Sequence, residues 1–73
     1  MTLDELNSAI RDPYPMTEKQ FKFVESFVIH KNGMRAIREA GYSHSTPGSQ
    51  SSAAYRLLRL KKIQKAIEML NSG

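Results

Sequence analysis

Apolar residues recur along this chain at intervals of three and four residues, which predicts α-helices from one end to the other. The first helix begins at Thr2-Leu3-Asp4-Glu5, which has the spacing of a capping box. Its apolar face consists of Leu3, Leu6 and Ile10. Asp12-Pro13-Tyr14-Pro15 ends this helix, because each proline disfavours helical geometry in the residue before it. Residues 1–15 are therefore expected to form an amphipathic arm and a proline linker.

A second helix, over about Glu18–His30, is expected to carry the core. Thr17 and Gln20 have capping-box spacing, and Met16 and Phe21 are placed for a hydrophobic staple. The apolar stripe of this helix consists of Phe21, Val24 and Val28, with Phe23 and Phe27 widening it. A stripe that covers nearly half of the circumference predicts a central position in the fold.

A third helix of about eight residues is predicted to follow at once and to end in a glycine turn. Asn32 is the expected N-cap, and Gly33 and Ile37 face inward. Gly41 follows the last periodic residue, where a left-handed residue commonly ends a helix. In that motif Tyr42 packs against Ile37, which fixes the direction in which the chain leaves.

The chain after the glycine turn is also predicted to be helical, but its pattern leaves open where the next helix begins and whether that helix is interrupted. Ser43–Ser52 is compatible with a flexible loop, but Thr46-Pro47 also fits an N-cap followed by a first helical residue. A helix is expected from about Ser49, and its apolar face is formed by Ala53, Ala54, Leu57 and Leu58. The period continues through Ile63, Ala66, Ile67 and Leu70, so the helix is either continuous or bent near Leu60. Residues 16–73 are thus expected to form one domain of an all-α fold, a small bundle of four to five helices.

Composition adds a charge asymmetry to this picture. The chain has 73 residues, a net charge of +4 and no cysteine, which allows one small domain and excludes disulfides and thiolate metal sites. Residues 1–30 contain three Lys and Arg against five Asp and Glu, whereas residues 31–73 contain eight against two. A basic half suggests an anionic partner, most often nucleic acid, although helices also carry solvated Lys and Arg.

No pattern of residues typical of catalysis occurs. His30 and His44 are the only histidines, and neither has metal-ligand spacing to other ligand residues. The glycines match no phosphate-binding loop, and the serines lack a nearby base. We therefore expect neither enzyme activity nor a cofactor. The absence of a signal peptide or an apolar span favours a cytoplasmic location without membrane contact.

Two helices joined by a short glycine turn are typical of a helix-turn-helix, in which the second helix enters the major groove of DNA. Small hydroxyls permit close approach, Arg can pair with a guanine edge, and Tyr can reach a phosphate or a base. The preceding helix offers Lys31 and Arg35 for phosphate contacts. The predicted contacts with double-stranded DNA are Lys31, Arg35, Ser45, Thr46, Ser49, Ser52, Tyr55, Arg56, Arg59, Lys61 and Lys62.

Three stretches carry a family resemblance. Met16–Val24 reads MTEKQFKFV, Asn32–Ser43 reads NGMRAIREAGYS, and Arg56-Leu57-Leu58 precedes IQKAI at Ile63–Ile67. These resemble the motifs LTxKQxxFV, NATxAAIxAGYS and RLLxxxxVQxAI of bacteriophage terminase small subunits, over about Met16–Leu70.

The resemblance implies an N-terminal helical DNA-binding domain that recognises viral packaging sites in the host-cell cytoplasm. It also implies a homo-oligomeric ring, formed through a helical region that follows, and delivery of DNA to a large terminase subunit with ATPase and nuclease activities. Because the chain ends at Gly73, the resemblance implies an isolated DNA-binding domain or an unusually short relative.

The chain also departs from the family pattern. Thirteen residues separate Tyr42-Ser43 from Leu57-Leu58, more than the family has, which lengthens the turn or moves the start of the reading helix. Arg59-Leu60-Lys61-Lys62 replaces the usual Asn-Pro break, which favours a straighter helix. Two other functions fit the residues: a small helix-turn-helix transcriptional regulator on paired half-sites, and a helical assembly module whose basic face meets an acidic partner.

Overall fold

The computed structural model describes residues 2–42 and 47–72, and this part of the chain contains five α-helices. They are α1 Leu3–Ile10, α2 Glu18–His30, α3 Gly33–Glu39, α4 Pro47–Arg59 and α5 Lys61–Ser72. The all-α fold class is confirmed. The main packing contacts join α2 to α3 and α5, α4 to α3 and α5, and α1 to α5.

The first three helices begin at the side-chain caps that the sequence predicts. Thr2 accepts a hydrogen bond from the Glu5 backbone, and the Glu5 carboxylate accepts one from the Thr2 backbone. Thr17 and Gln20 make the same reciprocal pair at the start of α2. Asn32 Oδ1 accepts from the Arg35 backbone N–H at 3.1 Å. These caps satisfy backbone N–H groups that have no partner within the helix.

Helix α3 ends as the glycine turn predicts. Gly41 has φ of +88°, a left-handed conformation that costs a glycine little. The Gly41 N–H donates to the Arg38 carbonyl and the Tyr42 N–H donates to the Ile37 carbonyl, each at 3.2 Å. This pair of bonds is the Schellman motif, so the predicted end of the helix is confirmed.

The hydrophobic core gathers side chains from every helix. Its largest fully buried members are Phe23, Leu6, Ile37, Ile63 and Val24. The buried sector of α2 is therefore centred on Phe23 and Val24, whereas Phe21, Phe27 and Val28 are only half-buried. The sector differs from the predicted stripe because α2 packs against both α3 and α5 and presents its surface to two neighbours.

The N-terminal helix lies on the core rather than apart from it. Leu6 is fully buried, and α1 contacts α5. The Asn7 side chain bridges the linker to α1: Nδ2 donates to the Met16 carbonyl at 3.2 Å, and Oδ1 accepts from the Met16 N–H at 2.9 Å. Buried Met16 covers the same cluster, so burial and hydrogen bonds together hold residues 3–10 against the domain.

The chain turns between α4 and α5, so the expectation of a straighter helix is wrong. The Leu60 N–H donates to the Leu57 carbonyl at 3.1 Å, which tightens the last turn of α4, and Gln64 Nε2 donates to the Leu58 carbonyl at 3.0 Å. The turn is required by packing, because α5 contacts α1 and α2 whereas α4 contacts α3. At its other end α4 begins at Pro47, two residues before the expected start at Ser49.

Candidate nucleic-acid interface

Helix α4 has one packed face and one exposed face. Ala54 is buried, and Ala53, Leu57 and Leu58 are half-buried against the core. The opposite face exposes Ser49, Ser52, Tyr55, Arg56 and Arg59. The structure thus divides the helix as its periodicity predicts, and the role of the exposed side chains in DNA binding stays a prediction.

Small residues allow α4 to lie close to α3. A Cβ atom placed on Gly33 would lie 3.1 Å from Cβ of Ala54, closer than such atoms usually approach. Leu58 borders the same contact, with Cδ1 at 3.9 Å from that position. The separation of the two helices is therefore limited by backbone and Cβ atoms, and α3 fixes where the exposed face of α4 points.

Positive charge accumulates at the junction of α4 and α5. No Asp or Glu occurs between Pro47 and Ile67, and this stretch contains Arg56, Arg59, Lys61, Lys62 and Lys65. The Arg59 guanidinium lies over the Tyr55 ring, 5.5 Å from its centroid, and Tyr55 is 62% exposed. Within the described ranges Arg56, Lys61 and Lys65 make no ion pair. These three cations are available to an anionic partner.

Three other predicted contact residues are engaged within the fold. Lys62 is half-buried, and its ammonium donates to the Tyr14 carbonyl at 2.6 Å. Lys31 Nζ donates to Asn71 Oδ1 at 3.0 Å. Arg35 Nε lies 3.6 Å from Glu39 Oε1. The bond of Lys62 lies near the N-terminal ends of α2 and α5, and that of Lys31 lies at their C-terminal ends, so these two helices run in the same direction.

Ser45 and Thr46, the other two predicted contacts, lie outside the described residues, as does His44. The predicted N-cap role of Thr46 is therefore not described, although Pro47 is the first residue of α4, the position at which proline fits a helix.

A polar cluster between α2 and α3 was not anticipated from the sequence. The Ser26 hydroxyl, on a buried residue, donates to Glu39 Oε2, and His30 Nε2 lies 3.2 Å from the same oxygen. Spacing gave a partial signal, since Ser26 and His30 are four residues apart on α2, as Arg35 and Glu39 are on α3. Ser26 is bonded to the carboxylate and not to His30, so the cluster joins two helices through Glu39.

These contacts favour the ionised form of Glu39. The Ser26 hydrogen bond is the main reason that the pKa of Glu39 is lowered; burial opposes it, and the charges of His30 and Arg35 support it. The stability that Glu39 contributes is therefore fully present above the ordinary pKa of 4.5 and is lost as the pH falls through the lowered value.

We expect Glu39→Gln to reduce the loss of stability between pH 5 and about pH 3. Urea unfolding midpoints at the two pH values measure the effect. Glu25→Gln is the matched control: Glu25 lines the groove that Ser26, His30 and Glu39 also line, but it accepts no hydrogen bond within residues 2–42 and 47–72. Equal acid sensitivity of Glu39→Gln and the unmodified chain would contradict this role of Glu39.

An all-helical domain that exposes a basic face on one helix of a closely packed pair is of a class that commonly binds nucleic acid. A family model described as terminase small subunit matches residues 16–72, and the chain belongs to this family. Comparison with curated proteins gave no match, and comparison with solved structures gave none. Among the described helices none is long and apolar enough to cross a membrane.

Proposed function

We propose that this chain is the DNA-binding domain of a phage terminase small subunit, which recognises the viral packaging site and acts with the large terminase subunit in genome packaging. The observation that carries the proposal is the exposed face of α4 together with the exposed cations at the start of α5, in a stretch that has no acidic residue from Pro47 to Ile67. Family membership supports the packaging role.

The two halves of this face suit different contacts. Ser49 and Ser52 in the first half are small and uncharged, so the helix can approach base edges closely in the major groove. The second half and the start of α5 provide Arg56, Arg59 and Lys61, which suit phosphates. In a helix-turn-helix the beginning of the second helix reads bases, which agrees with this division.

Lys31 and Arg35 are expected to contribute less to DNA affinity. Each would have to exchange an existing partner, Asn71 or Glu39, for a phosphate. Both bonds are exposed to solvent, so the exchange costs little, but it also gains less than a contact from an unpaired cation. We therefore assign most of the affinity to the α4–α5 junction.

The proposed role is binding without catalysis, with bond cleavage and ATP hydrolysis left to the large subunit. One domain with a few phosphate contacts is expected to bind DNA weakly, with Kd of roughly 10⁻⁴ to 10⁻⁶ M. A ring of subunits would present several copies and raise the apparent affinity without new contacts.

Titration of a packaging-site duplex at several salt concentrations tests this proposal. Neutralisation of about three phosphates by Arg56, Arg59 and Lys61 is expected to give a slope of about −3 in log K against log salt. An unrelated duplex of equal length is the control for sequence recognition. Absence of binding at low salt, or binding that does not respond to salt, would overturn the proposal.

A further inference from the structure

The proline linker presents an exposed aromatic side chain on a fixed backbone. Tyr14 is 78% exposed, the highest value among the large hydrophobic side chains of the described residues. Its N–H donates to Asp12 Oδ1 at 2.9 Å, and its carbonyl accepts from Lys62 Nζ at 2.6 Å. Pro13 and Pro15 restrict the backbone on both sides. The ring is therefore held in solvent by a backbone that is already ordered.

The backbone that carries this ring is bonded to the basic junction of α4 and α5. The bond from Lys62 places the Tyr14 backbone at the first turn of α5. Lys61 is exposed on the same turn, and Lys65 is exposed one turn further on. The only acid in the linker is Asp12, whose carboxylate already accepts the Tyr14 N–H.

We propose that Tyr14 is a further DNA-contact residue, whose phenolic hydroxyl donates a hydrogen bond to a phosphate oxygen beside the one that Lys61 neutralises. Tyrosine hydroxyls are regular donors to the phosphate backbone. A donor on an ordered backbone loses little conformational entropy on binding. The inference rests on the proposed function and extends the contact surface into residues 1–15, outside the family match at residues 16–72.

The same geometry gives Lys62 a different role from Lys61. Because Lys62 is half-buried and its ammonium donates to the Tyr14 carbonyl, Lys62 is a positioning residue that holds the linker in place. Lys61 is exposed and contacts phosphate directly. These roles make opposite predictions for the salt dependence of binding, since only a cation that neutralises a phosphate changes the slope.

Tyr14→Phe in the full chain tests the contact, with affinity for duplex DNA measured by fluorescence anisotropy. Loss of one hydrogen bond to a charged group predicts about tenfold weaker binding. The salt slope should not change, because the hydroxyl carries no charge. Ile29→Ala, a truncation at another exposed position, on α2, is expected to leave the affinity unchanged.

The results separate this inference from the proposed function. If the unmodified chain does not bind the duplex, both fail. If it binds and Tyr14→Phe binds equally well, only the role of Tyr14 is overturned. A loss of self-association with no loss of DNA affinity would also overturn it, in favour of a protein partner at this side chain.

A double-mutant cycle tests the positioning role of Lys62. In a Lys62→Met background, Tyr14→Phe is expected to cost about twofold or less, because the linker is no longer held. In a Lys61→Met background the full loss of about tenfold should persist. Lys61→Met should also reduce the salt slope by about 0.9, whereas Lys62→Met should leave it unchanged. An equal cost of Tyr14→Phe in both backgrounds would overturn the coupling.

Discussion

Replacement of Arg56 and Arg59 together by glutamate is expected to weaken DNA binding at least about hundredfold, while the fold is retained. Each arginine is proposed to make a charge-assisted bond to the phosphate backbone, and loss of two such bonds accounts for a change of this size. The substituted carboxylates add repulsion from the phosphates. Both side chains are exposed and neither pairs with an acid in the described ranges, so helix packing should survive.

The matched control is replacement of Lys19 and Lys22 by glutamate. These residues are exposed on α2, and the change in net charge is the same. Anisotropy gives the affinity and circular dichroism the helix content of both variants. Equal losses in the two variants would mean that net charge alone governs binding. Intact DNA binding with lost self-association in the Arg56 and Arg59 variant would favour the assembly module.

Leu6→Ala is expected to have the largest effect on stability of any change in the N-terminal segment. Leu6 is fully buried in the shared core, and truncation of a buried leucine costs about 2–5 kcal/mol. A core in a chain this short rarely supplies more than about 3–5 kcal/mol, so much of the variant should be unfolded at 25 °C. Urea unfolding followed by circular dichroism measures the change.

Leu3→Ala is the control on the same helix. Leu3 is only half-buried, so its truncation should cost less than that of Leu6. An unchanged unfolding midpoint for Leu6→Ala would mean that α1 is detached in solution and that the Asn7 bonds to Met16 do not hold it. In that case Tyr14 would also lose its fixed position, which links this prediction to the proposed contact.

Local signals predicted most of the helices. The caps at Thr2, Thr17 and Asn32 and the turn at Gly41 depend on residues within a few positions of each other, so their geometry follows from short sequence patterns. The exposed face of α4 could likewise be predicted from helical periodicity, because burial on one side implies exposure on the other.

Contacts between distant residues could not be predicted in the same way. Lys31 is bonded to a residue forty positions away, and Lys62 to one forty-eight positions away. Nothing near either lysine in the sequence indicates these partners. The sequence therefore predicts that both side chains are free in solvent and can contact DNA. The turn at Leu60 follows from the placement of α5 on α2, a tertiary requirement that overrides the helical pattern on either side.

The cluster of Ser26, His30 and Glu39 illustrates a further difficulty. Each residue by itself is typical of a solvated surface, and only the crossing of α2 over α3 brings the hydroxyl and the imidazole to one carboxylate. The close approach of Gly33 and Ala54 could not be predicted from the sequence either, because small residues also occur where no helices pack closely. The parts of the site that depend on how two helices pack against each other could therefore not be predicted from the sequence.

Backbone amide chemical shifts recorded during titration with a short packaging-site duplex test the central claim most directly. We expect perturbations along α4 from Ser49 to Arg59, at Lys61, and at Tyr14, with little change at Ile29 on α2. Perturbations confined to α2 and the groove beside Glu39, with none along α4, would contradict the assignment of α4 and the α4–α5 junction as the DNA-binding surface.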